Sequence, residues 1–309
     1  MKKDFLTLAS LTAGDLRRLL ALAARCKRSP RACAAALSGK TLALVFQKPS
    51  VRTRVSFEVA IRRLGGSAIY LGPDDVYLGK REPTKDVART LARYVDAIVA
   101  RTFSHKDVEA LAHFACVPVI NGLSDLHHPC QALADFFTMS ERCGRLRGIT
   151  LAYIGDGNNV LHSLAEGATL LGVTLRVATP ARYRPQTAIW KAAVKRARRT
   201  GARLMWSDDP REVAAGADVV YTDVWTSMGY EREQAIRRRA FRAFQVDEAL
   251  LRVAKRRCLV MHCLPAHRGE EITDEVVEGP RSIVFDQAEN RLHVQQALLL
   301  TLLGKDGGR

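Results

Sequence analysis

The sequence predicts an α/β protein of two doubly wound domains, each built on a mostly parallel sheet. Three observations carry this. Short apolar runs alternate with amphipathic stretches, the alternation occurs twice, and 309 residues suit about two domains. The junction is expected at Arg142–Gly148, where arginine and glycine separate the two series.

In the first series, Thr41–Phe46 (TLALVF) is a continuous apolar run and reads as a buried strand. Ser56–Leu64 has helical spacing and stops at Gly65-Gly66, and Ser67–Leu71 is strand-like. Lys85–Tyr94 reads as a helix, Asp96–Arg101 as a strand, Asp107–Ala115 as a helix and Val117–Ile120 as a short strand. Pro129–Glu141 is a helix ending near Gly144. In the second series, Ile149–Ile154 is a strand, Asn158–Leu171 a helix stopped by Gly172, and Val173–Ala178 a strand. Thr187–Arg199 is a basic helix and Arg203–Trp206 a strand. Val219–Thr222, Leu259–His262 and Ser282–Phe285 are further strands, and Asn290–Leu303 is the closing helix.

Composition excludes several classes. Hydrophobic residues at 47% and charged residues at 26% are ordinary for a globular chain and argue against disorder. No apolar run approaches the roughly 18 residues needed to span a bilayer; the longest, Ala297–Leu303, contains Thr301. Met1-Lys2-Lys3 invites a signal-peptide reading, but Asp4, Asp15, Arg17 and Arg18 interrupt any apolar core, so a cytoplasmic chain without membrane contact is expected. The seven cysteines are odd in number and include no CxxC pair, which argues against a disulfide framework and a structural zinc site. The net charge of +16 suits either a nucleic-acid partner or anionic substrates. No nucleic-acid motif is present, and aromatics are only 6%, so no nucleic-acid partner is expected. Most of the excess lies in Arg182–Arg211 and Arg232–Arg257, which read as solvated helix faces.

In parallel α/β folds ligands sit at the carboxyl ends of strands, so the residues following each strand matter most. After Thr41–Phe46 come Gln47-Lys48-Pro49 and then Ser50-Val51-Arg52-Thr53-Arg54 at a helix start, where free N–H groups and the helix dipole attract anions. The alternative is that Ser50 only caps the helix and the arginines are solvated. Arg101 ends a strand and points either to an edge or to the ligand. His128 and Gln131 are three apart and share a helix face, although a lone histidine is often structural.

Gly155-Asp156-Gly157-Asn158-Asn159-Val160 is a poor dinucleotide fingerprint. Val160 replaces the third glycine and no acidic residue ends Val173–Pro180, so a nicotinamide cofactor is disfavoured. The asparagines instead offer amides to an amino acid's carboxylate or amine. Asp223-Val224-Trp225-Thr226-Ser227-Met228-Gly229 follows another strand, and His262-Cys263-Leu264-Pro265-Ala266-His267 the next. A cysteine at a strand end beside a proline turn is placed for chemistry, although a core role stays open. The histidine and cysteine spacing fits no common zinc pattern, and no metal is expected. Glu289-Asn290-Arg291 is read as the start of the last helix.

Five of these segments, in order, resemble the aspartate/ornithine transcarbamylase family, and within it the ornithine carbamoyltransferases. They are Ser50–Arg54, His128-Pro129-Cys130-Gln131, Asp223–Gly229, His262-Cys263-Leu264-Pro265 and Glu289-Asn290-Arg291. The family usually has Ser-Thr-Arg-Thr-Arg where this chain has Val51; that position serves through its backbone N–H. The resemblance implies transfer of a carbamoyl group from carbamoyl phosphate to the side-chain amine of L-ornithine, giving L-citrulline and phosphate, without a cofactor. It implies a carbamoyl-phosphate domain over 1–142, with 290–309 packing back onto it, and an ornithine domain over 148–289 across a cleft. It also implies a homotrimer or a multiple of it.

By resemblance, Ser50, Val51, Arg52, Thr53, Arg101, His128, Gln131, Cys263, Leu264 and Arg291 hold carbamoyl phosphate, and Asn159, Asp223, Ser227 and Met228 hold ornithine. Arg52, His128, Asp223 and Cys263 are the expected catalytic residues, with Asp223 orienting the amine and Cys263 contributing to proton transfer. The glycine- and proline-containing Tyr77–Thr84 reads as a mobile loop.

Overall fold

The computed structural model describes residues 3–79, 81–226 and 231–304. The chain divides into two compact units: Met1–Phe137 with Glu289–Arg309, and Thr138–Ala288. The division at Phe137 precedes the expected 142 because it falls within the helix Pro129–Cys143.

The first unit carries a four-stranded sheet of β1 (Thr41–Phe46), β2 (Ser67–Leu71), β3 (Ala97–Arg101) and β4 (Val119–Leu123) in the order β2-β1-β3-β4. All three pairings are parallel. Leu42 through Phe46 are buried to within 1%, which is why β1 reads as an unbroken apolar run. β4 starts two residues later than expected. Pro118 has no N–H to give a ladder, and its carbonyl instead accepts from Ile98 N at 2.9 Å. Residues from Glu289 belong with this unit; Lys27 Nζ donates to Asn290 Oδ1 at 2.9 Å.

The second unit carries β5 (Thr150–Ile154), β6 (Thr174–Ala178), β7 (Arg203–Ser207), β8 (Val219–Thr222) and β9 (Leu259–His262) in the order β7-β6-β5-β8-β9, again all parallel. Gly172 ends the helix Asn159–Leu171 at φ 73°, a left-handed position that favours glycine.

Two expectations fail at the C-terminal end. Ser282–Phe285 is not a strand: Val260 N donates to Arg281 O and Ile283 N to Val260 O, giving one bridge, and the chain is helical from Val284 to Leu303. A short apolar run does not distinguish strand from buried helix. Arg291 therefore lies inside that helix, not at its start.

Both sheets have a switch point where the strand order reverses, between β1 and β3 and between β5 and β8. Loops diverge there and leave room for ligands. Ser50 follows β1 and Arg101 ends β3, and Asp156–Asn159 and Asp223 follow β5 and β8.

Candidate active site

In the first unit the loop after β1 is tied to the end of β3. Gln47 N donates to Arg101 O at 2.8 Å, and Phe103 N donates to Gln47 Oε1 at 2.7 Å. Ser50 caps the helix Val51–Arg63, accepting from Thr53 N at 3.3 Å. Capping and anion binding are compatible, because the cap leaves other first-turn N–H groups available. Val51 is 77% exposed, which leaves its backbone as its contribution, and Arg52 is half-buried on the same turn.

Arg291 joins these parts. It donates through Nη2 to Thr53 Oγ1 and through Nη1 to Gln131 Oε1, both at 2.8 Å, and Gln131 Nε2 donates to Asp135 Oδ1 at 2.8 Å. Arg101, His128, Gln131 and Arg291 are all buried. Arg101 follows a register shift in the β3–β4 ladder, a break that redirects a strand end.

Burial pushes the His128 imidazole well below its ordinary pKa, and Arg291, Arg101, Lys48 and Arg52 push it further. His128 is thus a neutral ring among four cations. Lys48 belongs to this group although the sequence reading gave it no role. It is buried, with its ammonium 4.9 Å from the Phe103 ring centre. Its place one residue before Pro49, in the strand-to-helix loop, was the available signal.

In the second unit Gly157 serves the chain's own backbone. A Cβ there would lie 2.4 Å from Arg184 C and Pro185 N, and Gly157 N donates to Tyr183 O at 2.9 Å. The glycine is needed for this internal approach, so it gives no support to a dinucleotide reading. Asn158 caps the next helix through Oδ1, accepting from Val160 N and Leu161 N. Its Nδ2 donates to Asp223 Oδ2 at 2.7 Å. Asn158 thus holds the carboxylate, a role absent from the sequence reading, while Asn159 is the first residue of the helix.

The other oxygen, Asp223 Oδ1, accepts from Cys263 Sγ at 2.9 Å and from Val224 N at 2.9 Å. Cys263 follows β9 in a turn where Leu264 takes φ 56° and the Leu264–Pro265 bond is cis. His262, fully buried, shapes this turn. Its Nδ1 accepts from Leu264 N at 2.8 Å, so its proton faces Glu271 Oε1 from Nε2 at 3.0 Å. Asp223, His262 and Cys263 have ligand atoms within reach of one another, as do His267, Glu270 and Glu271. Both His262 nitrogens are already engaged, so a metal there would cost the bonds that shape the turn. By contrast, burial pushes the Cys130 and Cys258 thiols up to about 12, which makes them inert.

Ser227 and Met228 lie outside the described residues, as does Lys80 of the expected loop Tyr77–Thr84. Among the described residues no helix is long and apolar enough to cross a membrane. The expected solvated face over Arg232–Arg257 needs one correction: Arg237 is buried and pairs with Asp156 at 2.9 Å, while Arg238 and Arg239 are exposed.

Residues 3–141 match the family model "Aspartate/ornithine carbamoyltransferase, carbamoyl-P binding domain", and 147–302 match its "Asp/Orn binding domain". The chain is 52% identical over 305 residues to an ornithine carbamoyltransferase of Methanoculleus marisnigri, covering 98% of this chain and 97% of that one. The ornithine carbamoyltransferase structure from Pyrococcus furiosus superposes with a TM-score of 0.95 at 51% identity, over 99% of this chain and 97% of that one. The anabolic enzyme of Campylobacter jejuni gives a TM-score of 0.95 at 39% identity over the whole of both chains.

Proposed function

The chain belongs to the aspartate/ornithine carbamoyltransferase family, and from that premise we propose that it makes L-citrulline and phosphate from carbamoyl phosphate and L-ornithine by the following division of labour. The first unit takes carbamoyl phosphate. Arg52, Arg101 and Lys48 meet the phosphate oxygens, with Ser50, Thr53 and the Val51 N–H at the helix start. Arg291 and Gln131 orient the carbamoyl end, and neutral His128 donates to its carbonyl oxygen as negative charge develops there. One such donor is worth about 3–4 kcal/mol in the transition state.

The second unit takes ornithine. A lysine-like amine has a pKa of about 10.4, so at pH 7 roughly one in a few thousand is the neutral nucleophile. Asp223 attracts and orients the ammonium and Cys263 takes part in moving its proton; the thiol-to-carboxylate bond of 2.9 Å is the observation that carries this reading. Asn159, Ser227 and Met228 meet the α-amino and α-carboxylate groups, and Leu264 with Cys263 meets the carbamoyl group. The amine attacks the carbamoyl carbon, the C–O bond to phosphate breaks, and phosphate leaves with the bonding electrons. Carbamoyl phosphate is already activated, so the scheme requires no cofactor.

Purified protein given both substrates should produce citrulline, and a panel of amines should favour ornithine over putrescine, which lacks the α-carboxylate. No citrulline above background overturns the reading. We further propose a cytoplasmic homotrimer or a multiple of it, checked by light scattering as a mass in multiples of three 34.2 kDa chains.

A further inference from the structure

We propose that Arg237, paired with Asp156, is a positioning residue for Asp223 and so sets the affinity for ornithine. This rests on reading Asp223 as the amine-binding carboxylate. Arg237 Nη1 donates both to Asp156 Oδ2 and to Trp225 O, each at 2.9 Å. Its Nε donates to Glu233 Oε2 at 3.1 Å, and its guanidinium lies 4.7 Å from the Tyr183 ring centre. One buried guanidinium therefore ties the turn after β5 to a carbonyl two residues beyond Asp223.

The same turn reaches Asp223 from the other side. Asn158 N donates to Asp156 O at 2.8 Å, and Asn158 Nδ2 donates to Asp223 Oδ2 at 2.7 Å. The bonds close a ring: Arg237 to Trp225, along the backbone to Asp223, across to Asn158, back to Asp156 and to Arg237. Asp223 cannot shift within this ring without breaking one of its bonds.

The pair also supplies charge. Asp156 is a second buried carboxylate beside Asp223. Burial, opposed by Arg237 and helped by Asp223, leaves its carboxyl raised to about 6. A buried ion pair is a poor source of stability, because apolar packing of the same volume often does as well. What it provides is direction: the planar fork fixes two acceptors at once.

The test uses the full chain, titrating each substrate with the other saturating, in wild type, Arg237→Lys, Arg237→Gln, Asp156→Asn and the double variant Arg237→Gln/Asp156→Asn. Arg237→Gln and Asp156→Asn should each raise the ornithine KM about tenfold or more, with the carbamoyl-phosphate KM within about twofold, and their effects should not add. Arg237→Lys keeps the charge but not the fork, and should fall between wild type and Arg237→Gln. If Arg237→Gln does not fold, Arg237→Lys against wild type decides. Both KM values moving together, or a lower Tm with neither KM changed, overturns the proposal and leaves Arg237 merely structural. Failure of wild type to make citrulline overturns the ornithine reading itself, a separate result.

Discussion

In the first unit Lys48, Arg101 and Arg291 are buried around a His128 that stays neutral; in the second, the Cys263 thiol bonds to Asp223, and a further buried carboxylate, Asp156, pairs with the buried Arg237. The scaffolds are alike. Each is a parallel sheet, and each places part of this set at the ends of the strands that flank the point where strand order reverses: Lys48 and Arg101 in the first, Asp156 and Asp223 in the second. The difference is the sign of the charge collected there. Concentrated buried cations are costly until an anion arrives, and the same holds for carboxylates until a cation arrives. The shared fold thus sets where ligands bind, and the residues carried at the strand ends set which ligand suits each sheet.

Neutralising the acidic side should have the largest effect. Asp223→Asn should cut kcat/KM for ornithine by about 10²–10⁴-fold, the range for a lost proton-handling group. Steady-state citrulline assays measure it, and a loss under tenfold would remove Asp223 from the chemistry. Arg101→Ala attacks the cationic side. It should cost about 10²–10³-fold in kcat/KM for carbamoyl phosphate with little change in the ornithine KM. An equal rise in both KM values would mean that the two charge clusters are not separate. Cys263→Ala removes one hydrogen bond to a carboxylate, so about 10–100-fold is expected, chiefly in ornithine use and in its pH profile. Unchanged kinetics and pH profile would make Cys263 structural.

Smaller effects concern stability. Inorganic phosphate at about ten times its Kd should stabilise wild type by about 1.4 kcal/mol and Arg101→Ala hardly at all, read from urea midpoints. Acidification should separate the units by sign. His128 has a depressed folded pKa, so its contribution is present above about 6.5 and is lost as pH falls below that value. Asp156 has a raised folded pKa of about 6, so its contribution is present below about 4 and is lost as pH rises through 6. Between pH 7 and 5, Asp156 should therefore add about 1 kcal/mol while His128 subtracts. Asp156→Asn should steepen the acid loss of stability and His128→Asn should flatten it. A common direction for both variants would contradict the charge comparison.

The repeating strand–helix plan, β1 with the residues that follow it, and the placing of Ser50, Arg101, His128, Asp223 and Cys263 at strand ends or helix starts are legible in the sequence alone. These are local properties: periodicity, caps and glycine stops lie within a few residues of one another. The pairings are not local and come from the folded chain. Arg291 reaches Thr53 across 238 positions and Gln131 across 160, and Arg237 meets Asp156 across 81. In the sequence Arg237 has the same appearance as the exposed Arg238 and Arg239. Asn158 likewise resembles any helix cap. Ser282–Phe285 matches a strand in composition but pairs at one position only. Burial and partner choice come from packing distant segments together, and no local pattern records which distant segment that is.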